Sequence, residues 1–78
     1  MKTEIFPNPT SGEFTVSLKK LNKNSALEIY NTEGEIIKQE TLIKLETKVN
    51  LNEHPAGVYF TRITENGKAV HFSKIVKQ

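Results

Sequence analysis

Apolar residues recur at every second position along much of this 78-residue chain. Phe14, Val16 and Leu18 alternate with polar residues, and Leu27 and Ile29 repeat the pattern. A helical period is not sustained anywhere. Because successive side chains of a β-strand point to opposite faces, a period of two predicts strands that bury one face.

Seven short segments carry this pattern or lie between turn signals. They are residues 3–6, 13–18, 26–30, 35–43, 48–51, 57–64 and 68–77. Turns separate them roughly every 8–12 residues, which is typical of an all-β sandwich. In the looser fourth segment, either Ile36 or Ile37 faces the core. The sequence therefore predicts an Ig-like antiparallel β-sandwich of about seven short strands.

Glycine and proline mark the turns between these segments. Residues 7–12 read Pro-Asn-Pro-Thr-Ser-Gly, and the two prolines fix φ, so this turn is predicted to be rigid. Gly34 lies between two strands, where a left-handed backbone is expected. Asn66-Gly67 separates the last two strands and predicts a type I′ hairpin.

Tyr59 enters a strand shortly after the turn that contains Pro55. In Ig-like sandwiches, a tyrosine in such a position buries its ring and returns its hydroxyl to the backbone of the preceding loop, forming a tyrosine corner. An ordinary half-buried strand tyrosine is the alternative. The sequence alone leaves both interpretations open.

Composition narrows the possible functions. A chain of 8.9 kDa buries somewhat over 60% of its surface on folding, enough for one thin core and no second domain. Cysteine is absent, which excludes disulfides, zinc–thiolate sites and thiol catalysis. Eleven basic against nine acidic residues give a net charge of +2, without a basic block that would indicate nucleic-acid binding.

Catalytic chemistry is not visible in the sequence. His54 and His71 belong to different segments and lack the spacing of metal ligands, and His71 is expected on the polar face of the last strand. No serine is paired with a base and an orienting group. We therefore expect no catalytic residue, no metal, no cofactor and no enzymatic activity.

Membrane insertion and nucleic-acid binding are also disfavoured. No apolar run approaches the ~20 residues of a membrane helix, and no signal peptide begins the sequence. Lys68, Lys74 and Lys77 accompany Phe72 in the last hairpin. Lysines commonly protect an edge strand from pairing with another chain, and this role is favoured over nucleic-acid recognition.

The landmarks form an ordered series of motifs. These are Phe6-Pro7-Asn8-Pro9-Thr10-Ser11-Gly12-Glu13-Phe14, Leu27-Glu28-Ile29-Tyr30-Asn31-Thr32-Glu33-Gly34, Ala56-Gly57-Val58-Tyr59-Phe60 and Lys74-Ile75-Val76-Lys77-Gln78. The series resembles the type A C-terminal sorting domain of the type IX, or Por, secretion system of Bacteroidetes. The resemblance extends over essentially the whole chain.

This resemblance implies a secretion signal without chemistry of its own. Residues 1–78 would form a single C-terminal sorting domain, excised from a larger exported protein. The domain would direct an N-terminal cargo domain through the periplasm and the type IX translocon of the outer membrane to the cell surface, where a sortase-like peptidase would remove it. The expected partners are the translocon, this peptidase and the cargo domain. Exposed sheet edges leave weak self-association possible.

The resemblance also carries the family motif over to particular positions. They are Pro7, Asn8, Pro9, Gly12, Gly34, Gly57, Tyr59, Lys74, Ile75, Val76, Lys77 and Gln78. The last five are expected to be recognised by the translocon, through charge or strand addition. The opening motif is expected mainly to lock the first turn, and the middle residues to be structural. Thr61 departs from the family pattern, which more often has an aliphatic residue there.

A different class of function shares the same fold. An Ig-like or fibronectin-like accessory module that binds carbohydrate or protein would show the same strands and turns. Sugar binding usually requires exposed planar aromatics, and tryptophan is absent. Phe14 and Tyr59 are expected in the core, which leaves few aromatic residues for a sugar-binding surface.

Overall fold

A computed structural model describes residues 3–78; Met1 and Lys2, which the predicted domain includes, lie outside the described residues. Each predicted segment overlaps a strand, with ends that differ by at most two residues. The strands are β1 (Glu4–Phe6), β2 (Glu13–Ser17), β3 (Ser25–Tyr30), β4 (Ile36–Thr41), β5 (Glu46–Asn50), β6 (Gly57–Glu65) and β7 (Lys68–Lys77). Residues 3–78 contain no helix that is long and apolar enough to cross a membrane.

The strands form two antiparallel sheets. One sheet has the order β1-β2-β5 and the other the order β4-β3-β6-β7. The sheets pack face to face, as the alternating pattern requires, because each contributes one apolar face to a shared core. The prediction of an Ig-like antiparallel β-sandwich is confirmed.

The core consists of the apolar residues that alternate along the inner faces. Its buried members are Phe14, Val16, Leu18, Leu27, Ile29, Leu42, Val49, Leu51, Tyr59, Ile63 and Ile75. In β4, Ile37 packs against this core while Ile36 is 48% exposed, so Ile37 is the residue that faces inward.

The hairpin turns have the backbone that their residues favour. Asn66 and Gly67 have φ values of 54° and 81°. Both central residues of a type I′ turn require positive φ, so this prediction is confirmed. Gly34 has φ 85° and thus adopts the left-handed backbone expected of it. In the first turn, the Phe6–Pro7 and Asn8–Pro9 peptide bonds are cis.

The last strand differs from expectation in the face that its residues occupy. Ile75 is fully buried and lies opposite Tyr59, so a period of two from Ile75 brings His71 to the inner side. His71 indeed pairs with the buried Ile63. The prediction that His71 lies on the polar outer face is therefore wrong, and Phe72 points outward instead.

Candidate functional site

The side chain of Asn8 binds the free edge of β7. Its Nδ2 donates to the carbonyl oxygen of Lys74 at 2.7 Å, and its Oδ1 accepts from the backbone N–H of Val76 at 3.0 Å. The carboxamide thus offers one donor and one acceptor, as the backbone of a neighbouring strand would. Pro7 and Pro9 flank Asn8 and hold the backbone on either side of it.

Thr10 extends this pairing towards the end of the chain. Its N–H donates to the Val76 carbonyl oxygen, and its carbonyl oxygen accepts from the N–H of Gln78, each at 2.8 Å. The Thr10 side chain is buried. Its hydroxyl donates to the Glu13 carbonyl oxygen at 2.6 Å and accepts from the N–H of Gly12 at 3.1 Å. Residues 8–10 therefore cover the edge of β7 from Lys74 onward.

The loop between β5 and β6 joins the same region. Lys77 Nζ donates to the carbonyl oxygens of Leu51, at 3.0 Å, and of His54. The N–H of Leu51 in turn donates to the Gly12 carbonyl oxygen at 2.7 Å. The ammonium group of Lys77 is thus bound within the domain and cross-links the end of β7 to this loop.

The backbone of Gly12 favours glycine and lies against this loop. Its φ is 145°, a value that side chains disfavour, and a Cβ at this position would lie 2.0 Å from Asn52 Oδ1. Contact at that distance forces a neighbouring group to move. The glycine of the opening motif therefore allows the first turn and the β5–β6 loop to pack together.

Tyr59 forms the tyrosine corner. Its ring is buried in the core, and its hydroxyl donates to the Pro55 carbonyl oxygen in the preceding loop. His54 packs edge-on against this ring, with 6.4 Å between the ring centroids. The corner interpretation is confirmed, and the alternative of an ordinary strand tyrosine is wrong.

These contacts bring most of the motif residues to one end of the sandwich. We call residues 7–12, 51–59 and 74–78 the motif cluster. Ile75 belongs to it through the core, since it lies opposite Tyr59. Gly57 begins β6 opposite Lys77. Gly34 shares no hydrogen bond with the cluster; its N–H donates to Asn31 within its own hairpin.

Thr10 and Lys77 have roles in the motif cluster that the sequence did not indicate. Thr10 was not among the expected site residues, although its hydroxyl organises the first turn; a threonine two positions before a turn glycine is a weak signal for this. The two lysines of the last segment are also unlike each other. Lys77 is bound internally, whereas Lys74 is exposed and has no ion-pair partner within residues 3–78.

A polar group of residues lies on the outer face of the four-stranded sheet. The Glu28 carboxylate accepts from Arg62 Nε at 2.6 Å, from the Tyr30 hydroxyl at 2.8 Å and from Gln39 Nε2 at 3.2 Å. Burial raises the pKa of Glu28, but the hydrogen bonds from Tyr30 and Arg62 outweigh it and lower that pKa below 4.5. Burial, followed by the bond to Glu28, raises the pKa of Tyr30.

The chemistry available in the motif cluster is hydrogen bonding between side chains and backbone. Its one imidazole, His54, packs on Tyr59 and is not held against a nucleophile. In residues 3–78 there is no group of three or more His, Asp or Glu side chains that could hold a metal ion. These hydrogen bonds fix the three segments of the motif cluster relative to one another, so its exposed side chains have a defined arrangement.

Comparison with known families agrees with the motif order. The model of the family described as "Secretion system C-terminal sorting domain" matches residues 4–78. The chain belongs to this family. The resemblance to type IX secretion sorting domains is thereby confirmed, and with it export to the cell surface or the extracellular space.

A curated relative carries a similar segment. The endo-acting ulvan lyase of Formosa agariphila is 35% identical over 75 residues. The match covers 94% of this chain and 14% of that protein. The chain thus spans a small part of the length of this relative.

Proposed function

We propose that residues 1–78 form the single C-terminal sorting domain of an exported protein. The domain directs a cargo domain, N-terminal to it in the same chain, through the type IX translocon. It acts as a non-catalytic sorting signal. The family match over residues 4–78 supports this class of function.

The signal is a folded surface rather than a linear peptide. The observation that carries this proposal is the pairing of Asn8 with Lys74 and Val76. It joins the opening motif to the terminal motif, two segments that lie at opposite ends of the sequence. A receptor that recognises both motifs together therefore requires the domain to be folded.

The groups available to the translocon follow from the contacts. Lys77 is bound to loop carbonyls, and Ile75 is buried in the core. The side chains of Lys77 and Ile75 therefore stabilise the motif cluster and are not among the groups that the translocon contacts. Pro7, Asn8, Lys74 and Gln78 are exposed, and these four residues form the surface that the translocon contacts.

Removal of the domain after export completes the proposal. A sortase-like peptidase cuts the chain on the N-terminal side of the domain. β1 begins at Glu4 and pairs with β2 from there, so a cut before this residue leaves the sandwich intact. The released domain then remains folded.

Export of a reporter tests the proposal. Residues 1–78 are fused behind a fluorescent protein that carries a periplasmic signal peptide, in a host with a type IX system. We expect the fusion at the cell surface or in the medium. Deleting residues 74–78 should leave the reporter in the periplasm, and normal export of that deletion would overturn the role of the last segment.

A second fusion separates a folded surface from a linear signal. It carries only residues 74–78 behind the same reporter. We expect this fusion to stay in the periplasm, because the five residues lack Asn8 and Thr10 beside them. Export of this five-residue fusion would overturn the folded-surface proposal. Export of the fusion with residues 1–78 would then be explained by a linear signal.

A further inference from the structure

The outer side of the four-stranded sheet carries large apolar side chains. Phe72 is 70% exposed, Ile36 48% and Phe60 44%. Together with their neighbours they form what we call the outer apolar face, which consists of Tyr30, Ile36, Val58, Phe60, Phe72 and Val76. Exposed apolar residues that occur singly need no explanation, whereas a contiguous patch indicates an interaction site.

Strand register makes this face contiguous. Phe60 lies between Tyr30 on β3 and Lys74 on β7, and Ile36 on β4 lies opposite Tyr30. Phe72 and Val76 are the diagonal neighbours of Phe60 on β7, at about 7–8 Å, within reach of an aromatic ring. Since strands are spaced about 4.8 Å apart, the face is roughly 14 Å wide.

The charges on this face favour a partner of opposite charge. Glu28 is held by Arg62, with Arg62 Nη2 at 2.6 Å from Glu28 Oε1. Lys74 stands beside Phe60 and has no ion-pair partner within residues 3–78. A second copy docked through the same face would present another Lys74 and another Glu28 that is already paired. A complementary surface must therefore supply its own carboxylate.

The path of the chain leaves this face open. β1 is an edge strand of the other sheet, so the first strand of the described residues lies in the opposite layer of the sandwich. Within residues 3–78 the outer apolar face stays exposed, with Phe72 70% and Phe60 44% accessible. It is also continuous with the motif cluster through Lys74, whose carbonyl oxygen accepts from Asn8.

We infer that the outer apolar face docks onto a protein of the secretion machinery. The contacting surface of that protein is apolar at its centre and carries a carboxylate opposite Lys74. This inference rests on the proposed function and extends its contact surface, which already includes Lys74, across the outer side of the four-stranded sheet. The aliphatic Ile36, Val58 and Val76 favour a protein over a carbohydrate, because sugars stack on planar rings and require free polar groups around them.

Paired variants of the reporter fusion test the inference. Phe60→Thr with Phe72→Thr removes the two phenylalanines while keeping residues that suit strands. Ile43→Thr with Leu45→Thr is the matched control, since Ile43 and Leu45 are 72% and 51% exposed and lie outside the face. Two central aromatic contacts account for about tenfold or more in affinity. We expect surface export to fall by about that factor in the first pair and to be unchanged in the control.

Substitutions at Lys74 test whether the partner carries a carboxylate opposite this residue. Lys74→Glu should reduce export, whereas Lys74→Arg should preserve it, because the partner carboxylate requires a cation and tolerates either one. Equal export of both variants would overturn the charge complementarity. Thermal unfolding of each purified domain measures folding separately, and these exposed positions should leave Tm close to that of the wild type.

The outcomes distinguish this inference from the proposed function. If the wild-type fusion is not exported, both fail. If the wild type and the Phe60/Phe72 pair are exported equally, only the docking face is overturned. Should the pair fail to fold, Phe72→Lys alone replaces it, since Phe72 is the most exposed of these residues; export of that folded variant overturns the inference and its retention supports it.

Two other occupants of the face are also measured. Retention of the purified domain on a polysaccharide resin, lost in the Phe60/Phe72 pair, would overturn the protein partner in favour of a carbohydrate. A dimer in sedimentation velocity that the same pair abolishes would overturn it in favour of a second copy. We expect neither result.

Discussion

Truncating Asn8 is the sharpest perturbation that the motif cluster offers. Asn8→Ala removes both hydrogen bonds to β7, to Lys74 and to Val76. A typical net contribution is about 0.5–1.5 kcal/mol for each bond. Both bonds are exposed, so water replaces the lost partners and the total cost is about 1–2 kcal/mol. At about 4–8 °C per kcal/mol for a domain of this size, Tm should fall by roughly 5–15 °C.

Two measurements check this expectation. Thermal unfolding by circular dichroism gives Tm, and hydrogen exchange reports on the backbone amide of Val76, which donates to Asn8. That amide should exchange faster in Asn8→Ala. Asn52→Ala is the matched control, because Asn52 is an exposed asparagine in the adjoining loop whose side chain makes no hydrogen bond within residues 3–78. An unchanged Tm, with Val76 protected as in the wild type, would refute the bridging role of Asn8.

Asn8→Asp separates the contributions of the two hydrogen bonds, because it keeps one and removes the other. The carboxylate can still accept from the N–H of Val76 but cannot donate to the Lys74 carbonyl oxygen. At neutral pH we therefore expect the free energy of unfolding to fall by at least as much as in Asn8→Ala. Protonation restores a donor, and the introduced carboxyl should therefore have a raised pKa in the folded state. The deficit relative to the wild type should shrink as pH falls through that pKa. A deficit that is independent of pH would contradict the donor role of Asn8 Nδ2.

Three further predictions concern stability. Tyr59→Phe keeps the buried ring but removes the bond to the Pro55 carbonyl, so the free energy of unfolding should fall by about 0.5–1.5 kcal/mol in urea titration. Gly34→Val puts a β-branched residue at φ 85° and should cost about 1–3 kcal/mol, whereas Gly34→Asn should cost much less because asparagine tolerates this backbone. The pKa of Glu28 is lowered in the folded state, so its contribution is complete above about pH 4.5 and is lost as pH falls below that value. Stability should therefore decline more steeply in the wild type than in Glu28→Gln as pH falls below about 4.5; parallel declines would contradict the role of Arg62 and Tyr30 as its partners.

The fold could be predicted because its signals are local. Phe14 and Val16 are separated by one polar residue, and that spacing alone assigns both to a buried strand face. Asn66-Gly67 and Gly34 likewise specify their turns through backbone preferences that involve no distant residue. Leu42 was missed because it lies five positions after Ile37, and a period of two cannot place both residues on one face. A register shift in the pairing of β3 with β4 allows both to reach the core.

The motif cluster could be predicted only in part because its contacts are distant in sequence. Asn8 and Val76 are 68 positions apart, and no local pattern specifies that an asparagine side chain will pair with a strand edge. Lys77 lies two positions after the buried Ile75 and so on the same side of β7, but the loop carbonyls that its ammonium group binds are more than twenty positions away. Phe72 points outward because it lies three positions before the buried Ile75, and residues an odd number of positions apart lie on opposite faces of a strand.

The pairing of residue 8 with residue 76 has a consequence during synthesis. Asn8 leaves the ribosome before its partner on β7, because Val76 lies 68 positions later in the chain. A nascent chain that stops short of Val76 therefore lacks the joined surface, however well its earlier strands have formed. If the translocon requires that surface, a chain truncated before Val76 is not presented for export, and export is thereby coupled to the synthesis of β7.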